Sequence, residues 1–462
     1  MGERLDRDVL RLAGILILGV MGPLLAATVT TIAIPTLGRE LDAQVSTVQW
    51  VGTGYLLALA MTVPITGWLV ERFGARQVWL GALVVFLVGS LLSGSAWDID
   101  SLVAFRVVQG VGAGLILPVM QTLIMRAAAG RQLGRLMAVI SLPAVLGPAL
   151  GPVAGGLLVA HLGWRWTFLV NLPITALAIA LAVWRVPADR PSRRHRLDVT
   201  GLVLLSPALA AIIYGLVQIG HGGHPLAPLA IGVVLLAGFV VRALRTPDPL
   251  IDLRLFGIRS FGAANALLFM SGLALFGVLF LLPLFYQQLR GTDVVVTGLL
   301  LAPQGLGSLL ARAAGPLVDR LGPRPVVVVS LALSAAGIVP FALADAHTSE
   351  WVLAPALVVL GVGLSAVNIA VLVGAYRDLS GEQIPHASST TRIMQQLGGA
   401  FGTAVLAVIL QSQLDGHSGA TAFDTTFRWV LVFTAVAVVP ALSLPRRHTS
   451  TVAAVSAGRP RG

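Results

Sequence analysis

Long apolar runs alternate with short polar connections along the whole chain. A helix needs roughly 20 apolar residues to cross the bilayer core, and a hydrophobic run of that length is the main sequence signal for one. We therefore predict fourteen membrane-spanning helices, at 12–36, 48–70, 78–96, 101–125, 135–160, 166–185, 199–219, 226–244, 262–288, 295–318, 325–344, 351–376, 393–412 and 427–445.

One polar phrase occurs twice, each time between two apolar runs, with the pattern Gly-x-Leu-Val-acid-Arg-x-Gly-x-Arg. The first copy contains Gly67, Glu71, Arg72, Gly74 and Arg76, and the second contains Gly315, Asp319, Arg320, Gly322 and Arg324. The repetition predicts two related halves. Repeats of this kind in membrane proteins typically surround a site that opens alternately to the two sides.

The composition agrees with a chain that lies mostly in lipid. Hydrophobic residues make up 56% and charged residues 11%, with a mean hydropathy of +0.89, whereas soluble domains carry about 25% charged residues. The net charge is +11, but the basic residues are spread between the apolar runs, which argues against a nucleic-acid-binding surface. The abundance of Ala, Gly, Val and Arg is typical of a G+C-rich bacterial genome.

Several classes of function are disfavoured by missing residues. The chain has no cysteine for disulfides or thiolate metal sites, and all 31 basic residues are arginine. A phosphate-binding loop needs a lysine, so ordinary ATP hydrolysis is not expected. His, Asp and Cys do not cluster at membrane depth as a membrane enzyme would require, and no stretch could form the soluble output domain of a sensor. No metal or cofactor is therefore expected.

The arginines also predict an orientation. With an even number of spans, nearly all of the arginines lie on the side of the two termini. The positive-inside rule assigns that side to the cytoplasm. Arg392 is counted on that side, Arg106 and Arg312 fall within spans, and the opposite side holds only Arg39, Arg165, Arg290 and Arg428. The expected organisation is a six-helix bundle at 1–190, an inner loop with a central helix pair at 191–255, a second six-helix bundle at 256–448 and a disordered cytoplasmic tail at 449–462.

Five motifs together resemble the fourteen-helix drug:proton antiporter group of the major facilitator superfamily. The repeated phrase resembles the inner-loop motif between helices two and three. The other four are the fourth-helix motif with Arg106, Gln109 and Gly110, the antiporter helix with Gly147, Pro148, Gly151, Pro152, Gly155 and Gly156, the stretch Gly163–Pro173 at the sixth helix, and Leu197–Gly201 before the central pair. The resemblance implies an all-α transporter without a cofactor that acts as a monomer.

By this resemblance, the acid and arginines of the inner-loop phrase stabilise one conformation and separate during transport. The alternative is that the arginines only keep the loop on the inner side. Glu71 replaces the aspartate that is usual in the family.

For Arg106, a buried charge is costly unless it is paired or hydrated. In the functional interpretation, Arg106 lies in the cavity and governs protonation or substrate binding. In the structural interpretation, it forms hydrogen bonds with carbonyls of a neighbouring helix.

In the antiporter helix, Gly147, Gly151 and Gly155 fall four residues apart and predict one smooth packing face. Two prolines beside them remove backbone donors and should bend the helix. By resemblance, this interface limits leakage and favours antiport. The alternative is ordinary packing of small residues, which accounts less easily for the paired prolines.

The sequence offers no obvious carboxylate for proton coupling. Related transporters carry an aspartate in the first helix, where this chain has Ala26, and no Asp or Glu lies near the middle of any predicted span. A dicationic drug would therefore lack a counter-charge, and a neutral, lipophilic or anionic compound fits better. The candidates for lining a substrate cavity are Tyr55, Gln288, Gln304 and Asn368, each of which could instead form a hydrogen bond between helices.

The expected function is efflux of small lipophilic compounds across the cytoplasmic membrane by alternating access, in exchange for protons. The alternative is a lipid or metabolite transporter of the same fold without proton antiport. The expected partners are a small-molecule substrate, protons and the lipid bilayer, and no nucleic acid.

Overall fold

The computed structural model describes residues 7–43, 45–128, 155, 157–159, 161–189, 197–220, 224–380, 383–414, 416 and 418–444. Within these ranges every predicted apolar run forms helix. The α-helices are α1 (Arg7–Glu40), α2 (Val45–Thr62), α3 (Thr66–Phe73), α4 (Ala75–Gly94), α5 (Ile99–Ala128), α6 (Trp166–Leu169), α7 (Asn171–Arg185), α8 (Val199–Gly220), α9 (Leu226–Arg245), α10 (Arg259–Leu284), α11 (Val294–Leu310), α12 (Ala314–Leu321), α13 (Pro323–Ile338), α14 (Glu350–Tyr376), α15 (Ile384–Leu414), α16 (Gly419–Val436) and α17 (Val438–Ala441).

Among the described residues, 12 helical segments are long and apolar enough to cross a membrane. The predicted all-helical membrane protein is therefore confirmed. Two of the fourteen predicted spans are not among these 12. The run at 295–318 corresponds to α11, which has 17 residues and continues through the 3-10 turn Ala311–Ala313 into α12. The run at 135–160 lies almost wholly outside the described residues.

The repeated phrase follows the same backbone path in both copies. In the first, α2 ends in the 3-10 turn Val63–Ile65, α3 follows, and Gly74 joins it to α4. In the second, α11 ends in a 3-10 turn, α12 follows, and Gly322 joins it to α13. Helices α3 and α12 both have 8 residues, and the two glycines have φ of +90° and +86°. Only glycine adopts this conformation readily, which explains its place in both copies.

We refer to α1–α7 as the N-terminal set and to α10–α17 as the C-terminal set. In the N-terminal set, α2 and α4 pack on α5, and the matching helices α11 and α13 pack on α14 in the C-terminal set. Both copies of the phrase lie at one end of the bundle, which we call the motif side. There Glu71 contacts His386 at the start of α15, and Gly374 near the end of α14 lies beside Pro323.

The central pair α8 and α9 is held together by Asp198. This buried carboxylate accepts a hydrogen bond from the Gly201 N–H at 2.9 Å, which caps α8, and it pairs with Arg242 of α9 at 2.7 Å. Helix α8 also packs against α2 of the N-terminal set and α15 of the C-terminal set. The motif Leu197–Gly201 therefore fixes the central pair, which bridges the two sets.

Buried apolar side chains show where the two sets meet. One cluster contains residues of both sets and includes Ile124 and Ile384. Two further clusters each belong to one set, around Leu37 and Phe168 in the N-terminal set and around Phe285 in the C-terminal set. Among the described residues, the apolar core is therefore continuous between the sets on the motif side and divided towards the opposite side.

Replacement of Gly74 by alanine should destabilise the protein by about 1–3 kcal/mol, because its φ of +90° is unfavourable for a residue with a Cβ. The added Cβ would also lie 2.9 Å from Asp189 Oδ1. The control is Gly81→Ala in α4, where a Cβ meets nothing within 4 Å and alanine is the better helix former. Thermal unfolding of the purified variants in detergent checks this. Equal unfolding temperatures for the two variants would contradict the backbone argument.

Candidate functional site

Arg106 lies inside the N-terminal set, where its side chain is 1% exposed. Its Nε donates to the Val51 carbonyl at 3.0 Å, and its Nη1 donates to the Gln109 side-chain carbonyl. The guanidinium also lies over the Tyr55 ring, 4.1 Å from its centroid, at a distance suited to a cation–π interaction. Polar and aromatic groups of the protein therefore surround this buried charge.

The contacts around Arg106 connect four helices. Gln109 Nε2 donates to the Ser90 hydroxyl of α4 at 2.7 Å, and the Tyr55 hydroxyl donates to the Pro23 carbonyl of α1 at 3.0 Å. Gly110 allows α5 to approach α2, because a Cβ there would lie 2.5 Å from the Tyr55 carbonyl. The structure thus brings together the predicted residues Tyr55, Arg106, Gln109 and Gly110. The contacts suit a positioning role for Arg106, and its part in coupling stays a prediction.

A second polar chain runs through the C-terminal set and includes the predicted Asn368. The Asn368 amide donates to the Ser271 hydroxyl at 3.1 Å and accepts from Gln395 Nε2 at 2.8 Å. The Gln395 carbonyl accepts from Arg392 Nη1 at 3.2 Å. This chain of neutral groups therefore leads from α10 through α14 to the guanidinium of Arg392 on α15.

The predicted position of Arg392 was wrong. We placed it in the inner connection before a span at 393–412, but α15 begins at Ile384 and carries Arg392 inside the helix. The error arose from the polar run Ser388–Thr391, which resembles a connection in sequence. In the structure these four side chains are buried between helices, so they belong to the helix and not to a connection.

Tyr55 belongs to the first polar group through its ring contact with Arg106 and its hydrogen bond to the Pro23 carbonyl. Two further predicted cavity residues lie elsewhere. Gln304 is half-buried on α11, and its backbone carbonyl packs against Gly361 of α14. Gln288 is exposed on the short π-helix Phe285–Leu289 that follows α10. Their role as cavity residues stays a prediction.

On the motif side, polar pairs join the two sets. Glu71 Oε1 lies 3.1 Å from His386 Nε2, and His386 Nδ1 lies 3.1 Å from the Leu250 carbonyl. Gly67 makes room for this histidine, since a Cβ there would be 3.1 Å from Nδ1. The first copy of the phrase therefore contacts the start of α15, and His386 is a functional candidate that sequence reasoning missed.

Two hydrogen bonds extend this contact between α5 and the C-terminal set. The hydroxyls of Thr122 and Ser388 are 3.1 Å apart, and the Tyr376 hydroxyl donates to the Gln121 side-chain carbonyl at 3.1 Å. Together with the Glu71–His386 contact and the continuous apolar core, they close the interface between the sets on the motif side.

Asp189 organises the N-terminal part of the motif side, and it was also missed in sequence. It accepts hydrogen bonds from the backbone N–H groups of Ala75 at 2.6 Å and Arg76 at 3.1 Å, at the start of α4. It also pairs with Arg126 at 2.9 Å. A carboxylate is favourable at a helix N-terminus, so an acid within an arginine-rich connection was the available signal. The Arg76 guanidinium in turn donates to the Val183 carbonyl at 2.5 Å.

The other residues of the two phrases have different surroundings. Arg72, Asp319 and Arg320 are exposed, Gly315 is buried and Arg324 is half-buried. Of the antiporter-helix residues, only Gly155 is described, and it is helical and buried. The others, Gly147, Pro148, Gly151, Pro152 and Gly156, lie outside the described residues.

Asp98, which directly precedes α5, has a structural role. Its carboxylate accepts from the Ser101 N–H at 2.8 Å, and the Asp98 N–H donates to the Ser101 hydroxyl at 3.2 Å. This reciprocal arrangement caps the start of α5. The hydrogen bonds from Ser101 hold the pKa of Asp98 below its ordinary value, so the group stays ionised at neutral pH and is a poor proton carrier.

These features define a polytopic membrane transporter with two repeated sets of helices and polar groups at their interface. Sequence comparison agrees, because the chain matches the Major Facilitator Superfamily over residues 16–403. The chain belongs to that superfamily, and it is a secondary transporter rather than an enzyme.

Some of the relatives are named as resistance or export proteins. The Multidrug resistance protein B homolog of Mycobacterium tuberculosis (strain ATCC 25618 / H37Rv) is 39% identical over 425 residues, which cover 90% of this chain and 78% of the relative. The Tetracenomycin C resistance and export protein of Streptomyces glaucescens is 30% identical over 458 residues, which cover 95% of this chain and 84% of the relative.

A solved structure shares the fold. The crystal structure of the human organic anion transporter MFSD10 (TETRAN) superposes with a TM-score of 0.65 and covers 95% of this chain and 100% of its own. Its sequence identity is 19%, so the likeness concerns the fold alone.

Replacement of Arg106 by methionine should destabilise the protein by about 1–3 kcal/mol, because Gln109 would lose a buried partner and Tyr55 its cation. The control is Arg312→Met, which changes an exposed arginine in the turn after α11 and should alter stability by less than about 0.5 kcal/mol. Thermal unfolding in detergent measures both. An Arg106→Met protein as stable as the wild type would remove the positioning role.

Proposed function

We propose that this protein exports small lipophilic compounds across the cytoplasmic membrane of a bacterium by alternating access, in exchange for protons. The supporting observation is the interface between the two sets, where the pairs Glu71–His386, Thr122–Ser388 and Gln121–Tyr376 close the motif side. A binding region at the interface of two repeats, closed on one side, is what alternating access requires. The resistance and export proteins among the relatives supply the direction of transport.

The proposal includes fourteen spans and the drug:proton antiporter group. To the 12 candidate spans we add α11 with its continuation through α12, and the sequence run at 135–160. This even number places both termini and the motif side in the cytoplasm, with most of the arginines. The two six-helix bundles, the central pair and the cytoplasmic tail keep their predicted boundaries at 190, 255 and 448, and the protein acts as a monomer.

In this orientation the structure is closed towards the cytoplasm. The Glu71–His386 contact and the pairs Thr122–Ser388 and Gln121–Tyr376 form the inner gate. The gate must separate before a substrate can enter from the cytoplasm. The three pairs together stabilise the closed state by a few kcal/mol, since each hydrogen bond contributes about 0.5–1.5 kcal/mol. Binding energies of a substrate or a proton can offset a difference of this size.

Proton exchange would involve titratable groups at the gate. The chain has no carboxylate near the middle of a predicted span, whereas Glu71 and His386 are half-buried and in contact between the sets. Protonation of Glu71 would remove its negative charge and weaken the contact with a charged histidine. The alternative is transport of a lipid or metabolite without proton exchange, which the missing deep carboxylate favours.

Two cysteines at the Thr122–Ser388 pair should lock the gate. The chain has no native cysteine, and the hydroxyls of these residues are 3.1 Å apart, so their side chains are close enough for a disulfide after a small adjustment. In Thr122→Cys/Ser388→Cys, oxidation should abolish substrate export from loaded cells or vesicles, and reduction should restore it.

Each single cysteine variant is the control, and neither should respond to the oxidant. A double variant that is fully oxidised, as judged by thiol labelling, and still exports at the rate of the reduced protein would show that the gate does not need to open. That result would overturn the proposed cycle.

Proton exchange is tested with purified protein in liposomes that contain a pH-sensitive dye. Addition of a transported compound should move protons in the opposite direction to the compound, and protein-free liposomes should show no such response. Transport of compounds without a pH change would exclude antiport and support the alternative, whereas absence of transport across a broad panel would contradict efflux itself.

A further inference from the structure

Arg392 is a half-buried charge inside helix α15. It lies eight residues after the start of α15, which corresponds to about 12 Å along the helix axis. Part of its surface is accessible although the helix packs against several others. Burial of a charge between helices is unfavourable unless the charge is paired or hydrated, so its surroundings must explain its presence.

The protein offers this arginine neutral partners. The described residues accept one hydrogen bond from its side chain, at the Gln395 carbonyl, whereas a guanidinium has five N–H donors. No carboxylate in the described part of the chain forms an ion pair with it. The run 135–160, which lies almost wholly outside that part, contains no Asp or Glu in sequence. No residue in the described part of the chain therefore supplies a counter-charge to Arg392, and an acidic ligand would do so.

Arg106, the other arginine inside the bundle discussed above, has more protein partners than Arg392. Arg106 is 1% exposed and bonds the Val51 carbonyl and Gln109. Its guanidinium also lies 4.1 Å from the Tyr55 ring centroid and 5.6 Å from that of Phe168. Arg106 thus has two hydrogen-bond acceptors and two aromatic rings around it, whereas Arg392 has one acceptor among the described residues and part of its surface is accessible.

The neighbours of Arg392 hold it in place without neutralising it. Gln395 accepts its hydrogen bond and is itself bonded to Asn368, which is bonded to Ser271. Helix α15, which carries Arg392, packs against α5 of the N-terminal set. The guanidinium therefore belongs to a helix at the interface of the two sets, where a substrate would pass in the proposed cycle.

We propose that Arg392 is the counter-charge for an acidic substrate: the site takes a lipophilic compound that carries one carboxylate or acidic hydroxyl group. The planar guanidinium bonds such a group through two parallel N–H donors, and Gln395 and Asn368 orient it. This inference rests on the proposed efflux function and adds the substrate class to it.

The test uses three probes with the same apolar body and different charge: pyrenebutyrate, its N-methylamide and a pyrenebutyl trimethylammonium salt. Binding to the purified full-length protein is followed by fluorescence anisotropy in an uncharged maltoside detergent, with protein-free micelles as the baseline. The wild type should bind the acid at least about ten-fold more tightly than the amide, and the cation most weakly. Failure of the acid to bind, or equal or tighter binding of the amide or cation, would overturn the inference without any variant.

Variants then test whether the preference for the acidic probe depends on Arg392. Arg392→Gln should lower affinity for the acid about ten-fold or more and leave the amide within about two-fold, and Arg392→Lys should keep part of the preference. The matched control Arg312→Gln changes an exposed arginine and should behave as the wild type. If Arg392→Gln weakens the amide as much as the acid, the residue has a structural role only.

Transport of the same probes into or out of liposomes separates this inference from the proposed function. Selective binding of the acid without transport of any probe would contradict efflux and leave the assignment of Arg392 intact. Transport of the amide or the cation at the rate of the acid would support efflux and overturn the assignment of the substrate class.

Discussion

The structure depends on how the charges of buried arginines are compensated in a membrane protein that has few carboxylates to pair with them. The chain has arginines at depth but no carboxylate near the middle of a predicted span, so its buried cations cannot form the ion pairs that are usual in membrane interiors. The protein uses carbonyls, amides and aromatic faces instead. Arg106 shows this solution in full, with Val51, Gln109 and Tyr55 as its partners.

Acids are instead used at the ends of helices, where they order the connections. Asp189 caps α4 and pairs with Arg126, Asp198 caps α8 and pairs with Arg242, and Asp98 caps α5. Each carboxylate faces backbone N–H groups that have no partner within their own helix. The distribution of charge is thus consistent throughout the described chain, with acids at helix ends and neutral groups around the deep arginines.

Much of the fold was accessible from sequence because long apolar runs and glycine-linked turns are local signals. The helices and the duplicated backbone path at Gly74 and Gly322 both followed from them, whereas the contact of Tyr55 with Arg106 did not. The contacts of Arg392, His386 and Asp189 did not. A polar run such as Ser388–Thr391 can be an exposed connection or a buried face between helices, and only the tertiary structure distinguishes these. Contacts between residues more than a hundred positions apart, such as Glu71 and His386, leave no periodic pattern in one sequence.

The central helix pair has a mechanical consequence. Helix α8 is tied to α2 by a hydrogen bond from the Ser206 hydroxyl to the Met61 carbonyl at 2.6 Å and by stacking of Trp50 on Tyr214, whereas it also packs along α15. A rigid-body rotation of one set against the other cannot preserve both contacts. In the proposed cycle, the specific contacts with α2 would keep the pair with the N-terminal set, and α8 would slide against α15. Since α15 carries Arg392 and His386, the surface that slides would belong to the same helix as the gate histidine and the proposed substrate-binding arginine.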